Sequence, residues 1–185
     1  MTDNHPLRIS GISFESFVDG EGVRAVIFFS GCSHNCPGCH NPEAQNPEYG
    51  EPVTFDLTRK IAEEIDKRPF LSGITLTGGD PMYNPDAVKE FLITLTNPFM
   101  LSSKPNIWIY TGYTYEEIMD NPRMAHLLCY CDVLVDGCFE VIKANRALRF
   151  RGSSNQRIID VKKSLQSGEA VLWKAKGADR NNDQQ

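Results

Sequence analysis

Cys32, Cys36 and Cys39 stand in the run Ser30-Gly31-Cys32-Ser33-His34-Asn35-Cys36-Pro37-Gly38-Cys39-His40-Asn41, with the spacing C-x3-C-x2-C. Three thiols on so short a loop, with Gly and Pro bending the backbone between them, must turn toward one centre. Soft thiolate ligands select zinc, copper(I) or iron–sulfur. Structural zinc closes a shell of four ligands, usually as two separated pairs. Here there is one group with an odd spacing, and no second Cys pair at zinc-ribbon distance. A cubane iron–sulfur cluster normally takes four cysteines, so three leave one iron without a protein ligand and open to a small molecule. A partial zinc site completed by His34 or His40 is the competing reading.

The elements that must position this loop follow from the apolar pattern. Ala25-Val26-Ile27-Phe28-Phe29 leads straight into it and predicts a strand over 24–30, after an alternating strand over 7–14 and a glycine-bearing turn. Leu57, Ile61 and Ile65 recur four apart and predict a helix over 54–68 packed on a sheet. Further along, strands are predicted over 73–77, 106–111 and 131–135, with helices over 86–96 and 114–119. Strands alternating with helices argue for an α/β fold with a mostly parallel sheet. A closed eight-unit barrel needs about 250 residues, and 185 leave room for about five strands. The expectation is an incomplete (βα) barrel, an open curved sheet with flanking helices. Gly78-Gly79-Asp80, Thr111-Gly112 and Asp136-Gly137 all follow strand ends, as the cysteine loop does. In parallel α/β proteins that edge is where ligands sit, so all four turns are expected on one rim.

Composition narrows the class. The net charge of −5 gives no general attraction to nucleic acid or anionic lipid. No apolar run approaches the roughly 20 residues of a membrane span, and the first residues lack the basic and apolar regions of a signal peptide. A cytoplasmic location is expected, where cysteines serve metals or redox chemistry more often than disulfides. Residues 1–177 read as one domain, followed by a polar tail over 178–185 of disordered character.

Together the blocks resemble a family. SGCSHNCPGCHN resembles the signature of radical S-adenosylmethionine enzymes. DGEGVR before it is similar to an element of the activases of glycyl radical enzymes. LTGGDP, YTGY, VLVDGCF and RGSSNQR resemble, in order, the activating proteins of anaerobic ribonucleoside-triphosphate reductases. The resemblance implies that Cys32, Cys36 and Cys39 ligate three irons of one [4Fe–4S] cluster, with no catalytic side chain beyond these ligands. It implies that S-adenosylmethionine chelates the fourth iron through its amino and carboxylate groups. Reductive cleavage of its C–S bond would give methionine and a 5′-deoxyadenosyl radical, which takes hydrogen from a glycine Cα of the partner. That partner would be the large catalytic subunit of the reductase, and the electron donor a flavodoxin or ferredoxin. Gly78, Gly79 and Asp80 resemble the GGE motif that receives the cofactor's amino group, with Asp in place of the commoner Glu. Gly38, Cys39 and His40 would line the adenine side, and Gly38 stands where the wider superfamily usually has an aromatic residue.

Plainer readings stand beside these. Asp136 either bonds the ribose or caps a turn. Asp19 and Arg24 either organise the rim or form a surface ion pair. Arg151, Ser153, Ser154 and Asn155 are either a partner-docking loop or turn chemistry. Cys129, Cys131 and Cys138 have a poor spacing for a second cluster, and free buried cysteine behaves as a small hydrophobe. Alternative functions are the activation of another glycyl radical enzyme, such as pyruvate formate-lyase, or a non-catalytic binding module stapled by metal.

Overall fold

The alternating apolar runs become strands of a single sheet in the computed structural model, which describes residues 6–175. The tail expected over 178–185 lies outside the described residues. Strand β1 (Arg8–Ser16) pairs antiparallel with β2 (Arg24–Phe29), and the short β3 (Glu51–Pro52) adds antiparallel to the outer edge of β1. From β2 the sheet runs parallel through β4 (Gly73–Gly78), β5 (Asn106–Tyr110) and β6 (Val133–Asp136). Strand β7 (Arg157–Asp160) lies antiparallel against β6, giving the order β3-β1-β2-β4-β5-β6-β7.

The expected five-stranded, mostly parallel sheet is therefore a mixed, open sheet of seven strands, parallel in its centre and antiparallel on both flanks. The two edge strands escape a pattern reading because Glu51–Pro52 is too short to alternate and the four residues of β7 follow directly on a Ser/Asn turn.

Helix α1 (Phe55–Asp66) begins where Thr54 Oγ1 accepts from Leu57 N–H at 3.1 Å. Helix α2 (Pro85–Leu95) starts with Pro at its first position, and Asn84 caps it. Helix α3 (Tyr115–Met119) is opened by a reciprocal capping box between Thr114 and Glu117. Two helices go beyond the sequence reading, α4 (Pro122–Leu128) and α5 (Val161–Ser167). Each is only seven residues long, under two full turns beyond its cap, too short for a periodic stripe to register. No helix among the described residues is long and apolar enough to cross a membrane.

Alternate residues of each strand point to opposite faces. One face carries Ala25, Ile27, Phe29, Ile74, Leu76, Ile107, Ile109 and Leu134, buried against Ile61, Leu92, Ile118 and Leu127 of α1 to α4. The other carries Trp108, Val133 and Val135, covered by Phe150 and Trp173 rather than by a helix layer. The Trp108 ring meets those of Phe150 and Trp173 edge-on at 5.5 and 5.2 Å between centroids.

Arg24 belongs to this second face and is 1% exposed, so neither the rim nor the surface ion pair describes it. Its guanidinium donates to Thr75 Oγ1 (2.7 Å), Ile74 O (2.8 Å) and Asn106 O (2.8 Å), and lies 5.2 Å from the Trp108 ring centre. It ties the starts of β2, β4 and β5 at the edge opposite the cysteine loop. Burial pushes its pKa down to about 10, which still leaves it charged at neutral pH.

Candidate functional site

The cysteine loop leaves the end of β2 and is pinned at once to the end of β4. Gly79 N–H donates to Phe29 O (2.7 Å) and Asp80 N–H to Gly31 O (2.8 Å). So close an approach needs bare backbone. Gly78 sits at φ +111°, and a Cβ on Gly79 would lie 2.4 Å from Gly31 O and 2.5 Å from Ala44 O.

Asp80 joins the turns. It is 2% exposed. Oδ1 accepts from Met82 N–H (2.8 Å), and Oδ2 accepts from the Thr111 hydroxyl and from Gly112 N–H, both at 2.9 Å. His34 Nε2 of the cysteine loop lies 3.0 Å from the same Oδ2, an ion-pair contact whose N–H is not aligned on the oxygen. The carboxylate raises the His34 pKa above its usual value, against burial, which lowers it. The ring continues to the turn after β6, where His34 Nδ1 is 3.3 Å from Cys138 Sγ, and that thiol donates to Gly112 O at 3.3 Å. The four turns expected on one rim are thus in contact. The Asp80 side chain is taken up in holding them.

Asp136 is similarly engaged. It is 1% exposed; Oδ2 accepts from Tyr115 N–H (2.8 Å) and from Arg157 Nη2, and Oδ1 from Arg157 Nε at 3.1 Å. It therefore caps the turn into α3, with both oxygens occupied. Gly38 and His40 are exposed, and Cys39 is half-buried. The Phe139 ring stands beside Gly38, and its centre is 5.6 Å from that of His40. An aromatic ring thus reaches the Gly38 position from a different segment of the chain.

The RGSSNQR block is a brace. Gln156 Oε1 accepts from Gly152 and Ser153 N–H (2.9 and 3.1 Å), Gln156 Nε2 donates to Gly137 O (3.1 Å), and Asn155 Nδ2 donates to Cys138 O (2.8 Å). These bonds clamp the turn after β6 into place, the turn-chemistry reading of the block. Asn155, expected only as a docking-loop or turn residue, lies beside Gly137–Cys138, a placement that sequence spacing does not signal.

The second cysteine group is dispersed. Cys129 is exposed at the end of α4, and Cys131 is buried with its thiol directed at Val133 O (3.0 Å). The extended strand in which these two would share a face is not formed, because α4 runs up to Leu128. Cys138 stands apart from both, beside His34.

A cleft of about 560 Å³ opens on the rim, lined in part by Ser33, His34, Gly112, Asp136, Cys138 and Asn155. That is a common size for a small-molecule site. Asn155 Oδ1, on its wall, is a buried acceptor without a hydrogen-bond donor. The amide orientation is fixed by the Nδ2 bond to Cys138 O.

Among the described residues, no three His, Cys, Asp or Glu side chains are gathered so as to hold a single metal ion. An iron–sulfur cluster asks for a different arrangement, one thiolate on each of several irons. The donor set fits it: Cys32, Cys36 and Cys39 are free and half-buried on one loop. Burial pushes the Cys32 thiol up to about 11, partly offset by the His34 backbone N–H, with Asp80 and Cys36 adding repulsion. Such a thiol ionises at neutral pH when a cation compensates the buried charge.

The chain resembles known proteins along most of its length. The family described as 4Fe-4S single cluster domain matches residues 18–159. Three relatives carry the name anaerobic ribonucleoside-triphosphate reductase-activating protein. That of Enterobacteria phage T4 is 35% identical over 144 residues, 77% of this chain and 86% of the relative. That of Pasteurella multocida is 37% identical over 147 residues, 76% and 89%. That of Vibrio cholerae is 38% identical over 142 residues, 76% and 90%. The matched region holds the cysteine loop, the three turns that meet it and the brace behind them, and on this ground the chain belongs to the 4Fe-4S single cluster domain family and, within it, to the anaerobic ribonucleoside-triphosphate reductase-activating proteins.

Proposed function

We propose that this protein is the radical S-adenosylmethionine activase of an anaerobic ribonucleoside-triphosphate reductase, generating a glycyl radical on that enzyme's large catalytic subunit. The observation that carries the reading is the joint between the cysteine loop and the ends of β4, β5 and β6, made by Gly31, His34, Asp80 and Gly112. Cys32, Cys36 and Cys39 would hold one [4Fe–4S] cluster. A cluster held by these residues would supply the electron for reductive cleavage of S-adenosylmethionine to methionine and a 5′-deoxyadenosyl radical, the species that would take hydrogen from the partner's glycine.

The chain's own residues bind and orient. Asp80 keeps the rim assembled, so the cofactor's amino group is received by the bare backbone of Gly78 and Gly79, with the Asp80 carboxylate behind them. Gly38, Cys39 and His40 form the adenine side, with Phe139 adjacent. Asp136 fixes the far wall through Tyr115 and Arg157, and any bond to the ribose must be shared with them. Asn155 Oδ1 supplies an acceptor on the same wall, suited to a hydroxyl or amino donor. The helix layer on one face only, with an aromatic-lined opposite face, supports reading the open sheet as an incomplete (βα) barrel over a domain of residues 1–177. A low-potential cluster calls for an external donor such as flavodoxin or ferredoxin and for a reducing, cytoplasmic setting without oxygen.

The test is anaerobic incubation of iron-reconstituted protein with S-adenosylmethionine, a strong reductant and the purified reductase subunit. The expected result is 5′-deoxyadenosine together with a glycyl radical signal on the partner. Consumption of no S-adenosylmethionine would favour a metal-stapled binding module, and radical formation on pyruvate formate-lyase alone would move the assignment to that activase class.

A further inference from the structure

Cys138 has no part in the function above, yet it does not sit where a small core hydrophobe would. It is half-buried in the wall of the rim cleft, on the turn after β6. Its thiol lies 3.3 Å from Nδ1 of His34, which is midway between Cys32 and Cys36 in the chain. The same His34 ring touches Asp80 at 3.0 Å, and the thiol also contacts Gly112 O at 3.3 Å. Cys138 thus faces the cysteine loop from the side of the Gly112 turn, and it lines the same cleft as Ser33 and His34 of that loop. The position is held firmly: Asn155 Nδ2 bonds Cys138 O (2.8 Å), and Gln156 Nε2 bonds the preceding Gly137 O (3.1 Å).

We propose that Cys138 is a fourth, exchangeable sulfur ligand, which occupies the remaining iron while S-adenosylmethionine is absent and gives way when it binds. The inference rests on the cluster assignment for Cys32, Cys36 and Cys39. A thiolate here completes the four-cysteine shell that such clusters normally take, and it shields the open corner from solvent. The thiol proton leaves to solvent through the cleft as the thiolate binds, and returns when the thiolate is displaced. Ligand exchange changes no oxidation state, so no oxidant or reductant is involved.

The experiment compares anaerobically reconstituted wild-type, Cys138→Ala and Cys138→Ser proteins by iron and sulfide content, by Mössbauer spectroscopy, and by iodoacetamide labelling of Cys138. The half-exposed position tolerates both substitutions, and all three proteins are expected to keep about four irons per chain. Without S-adenosylmethionine, one of the four iron signals should differ between wild type and the variants, and the difference should vanish when the nucleoside is added. Labelling of Cys138 in the loaded wild-type protein should quicken at least tenfold on that addition. Identical spectra without the nucleoside, or a labelling rate indifferent to it, would overturn the proposal. Absence of iron from the wild-type protein would remove the cluster assignment itself, a failure that the iron count distinguishes from the others.

Discussion

Asp80 Oδ2 and His34 Nε2 stand 3.0 Å apart, joining the turn after β4 to the middle of the cysteine loop. Because Asp80 is 2% exposed and also holds Met82, Thr111 and Gly112, its removal would leave buried donors unpaired. Asp80→Ala is expected to cost about 3 kcal/mol or more of stability and to lower iron loading, read by denaturation and by metal content. Asp80→Asn keeps one acceptor oxygen and should cost less. If both variants remained as stable as wild type, the carboxylate would not be holding the rim.

Gly79→Ala tests the close approach of the two loops. The added methyl group would fall 2.4 Å from Gly31 O and 2.5 Å from Ala44 O, backbone atoms that cannot swing aside. A loss of about 1–3 kcal/mol is expected, with a lower yield of cluster per chain on reconstitution. Unchanged iron content would separate the turn from the metal site.

How far the chain could be read from its pattern depended on the range of the interaction involved. The cysteine spacing, the strands at Arg24–Phe29, Gly73–Gly78 and Asn106–Tyr110, and helix α1 with its Leu57, Ile61 and Ile65 stripe are local, and their periodicity or spacing exposes them. Gly78 and Gly79 could be singled out because tight approach demands glycine. What stayed hidden was set by contacts distant in sequence. Arg24 looks like a surface cation until Thr75, Ile74 and Asn106 gather round it. The Cys138–His34 contact spans 104 positions, and neither residue carries a signal for the other. Asp80 stands out by its resemblance to a cofactor-binding motif, and Asp136 leaves open a ribose contact or a turn cap; the protein partners that both carboxylates take come from segments distant in sequence.

Arg24 anchors the edge opposite the cysteine loop. Arg24→Ala would leave Thr75 Oγ1 and the Ile74 and Asn106 carbonyls without their donor and Trp108 without its cation. A loss of about 3–5 kcal/mol is expected, which corresponds to a fall of roughly 10 °C in Tm for a chain of this size. A shift of a degree or two would show that solvent replaces the buried guanidinium without difficulty.

Acid should weaken the far wall of the site. Arg157 lies 2.6 Å from Glu116 and holds its carboxyl below the ordinary value of 4.5. The folded pKa is lower than the unfolded one, so the stabilisation is complete above pH 4.5 and is lost as the pH falls through the folded value. Glu116 is more than half exposed, which limits the contribution to at most about 1 kcal/mol. Glu116→Gln should therefore be slightly less stable than wild type at about pH 7, with the difference shrinking as the pH falls below 4.5, as measured by denaturant titration across that range. A difference that persisted in acid would assign the effect to something other than this ion pair.

Electron paramagnetic resonance of the reduced, reconstituted protein, before and after S-adenosylmethionine labelled with nitrogen-15 at its amino group, bears most directly on whether the three cysteines leave an iron for that molecule. The expected result is a change in the cluster signal on addition, with hyperfine coupling to the labelled nitrogen. A signal that stays the same, with no coupling, would mean that every metal corner is already filled by the polypeptide, and the activase reading would fall.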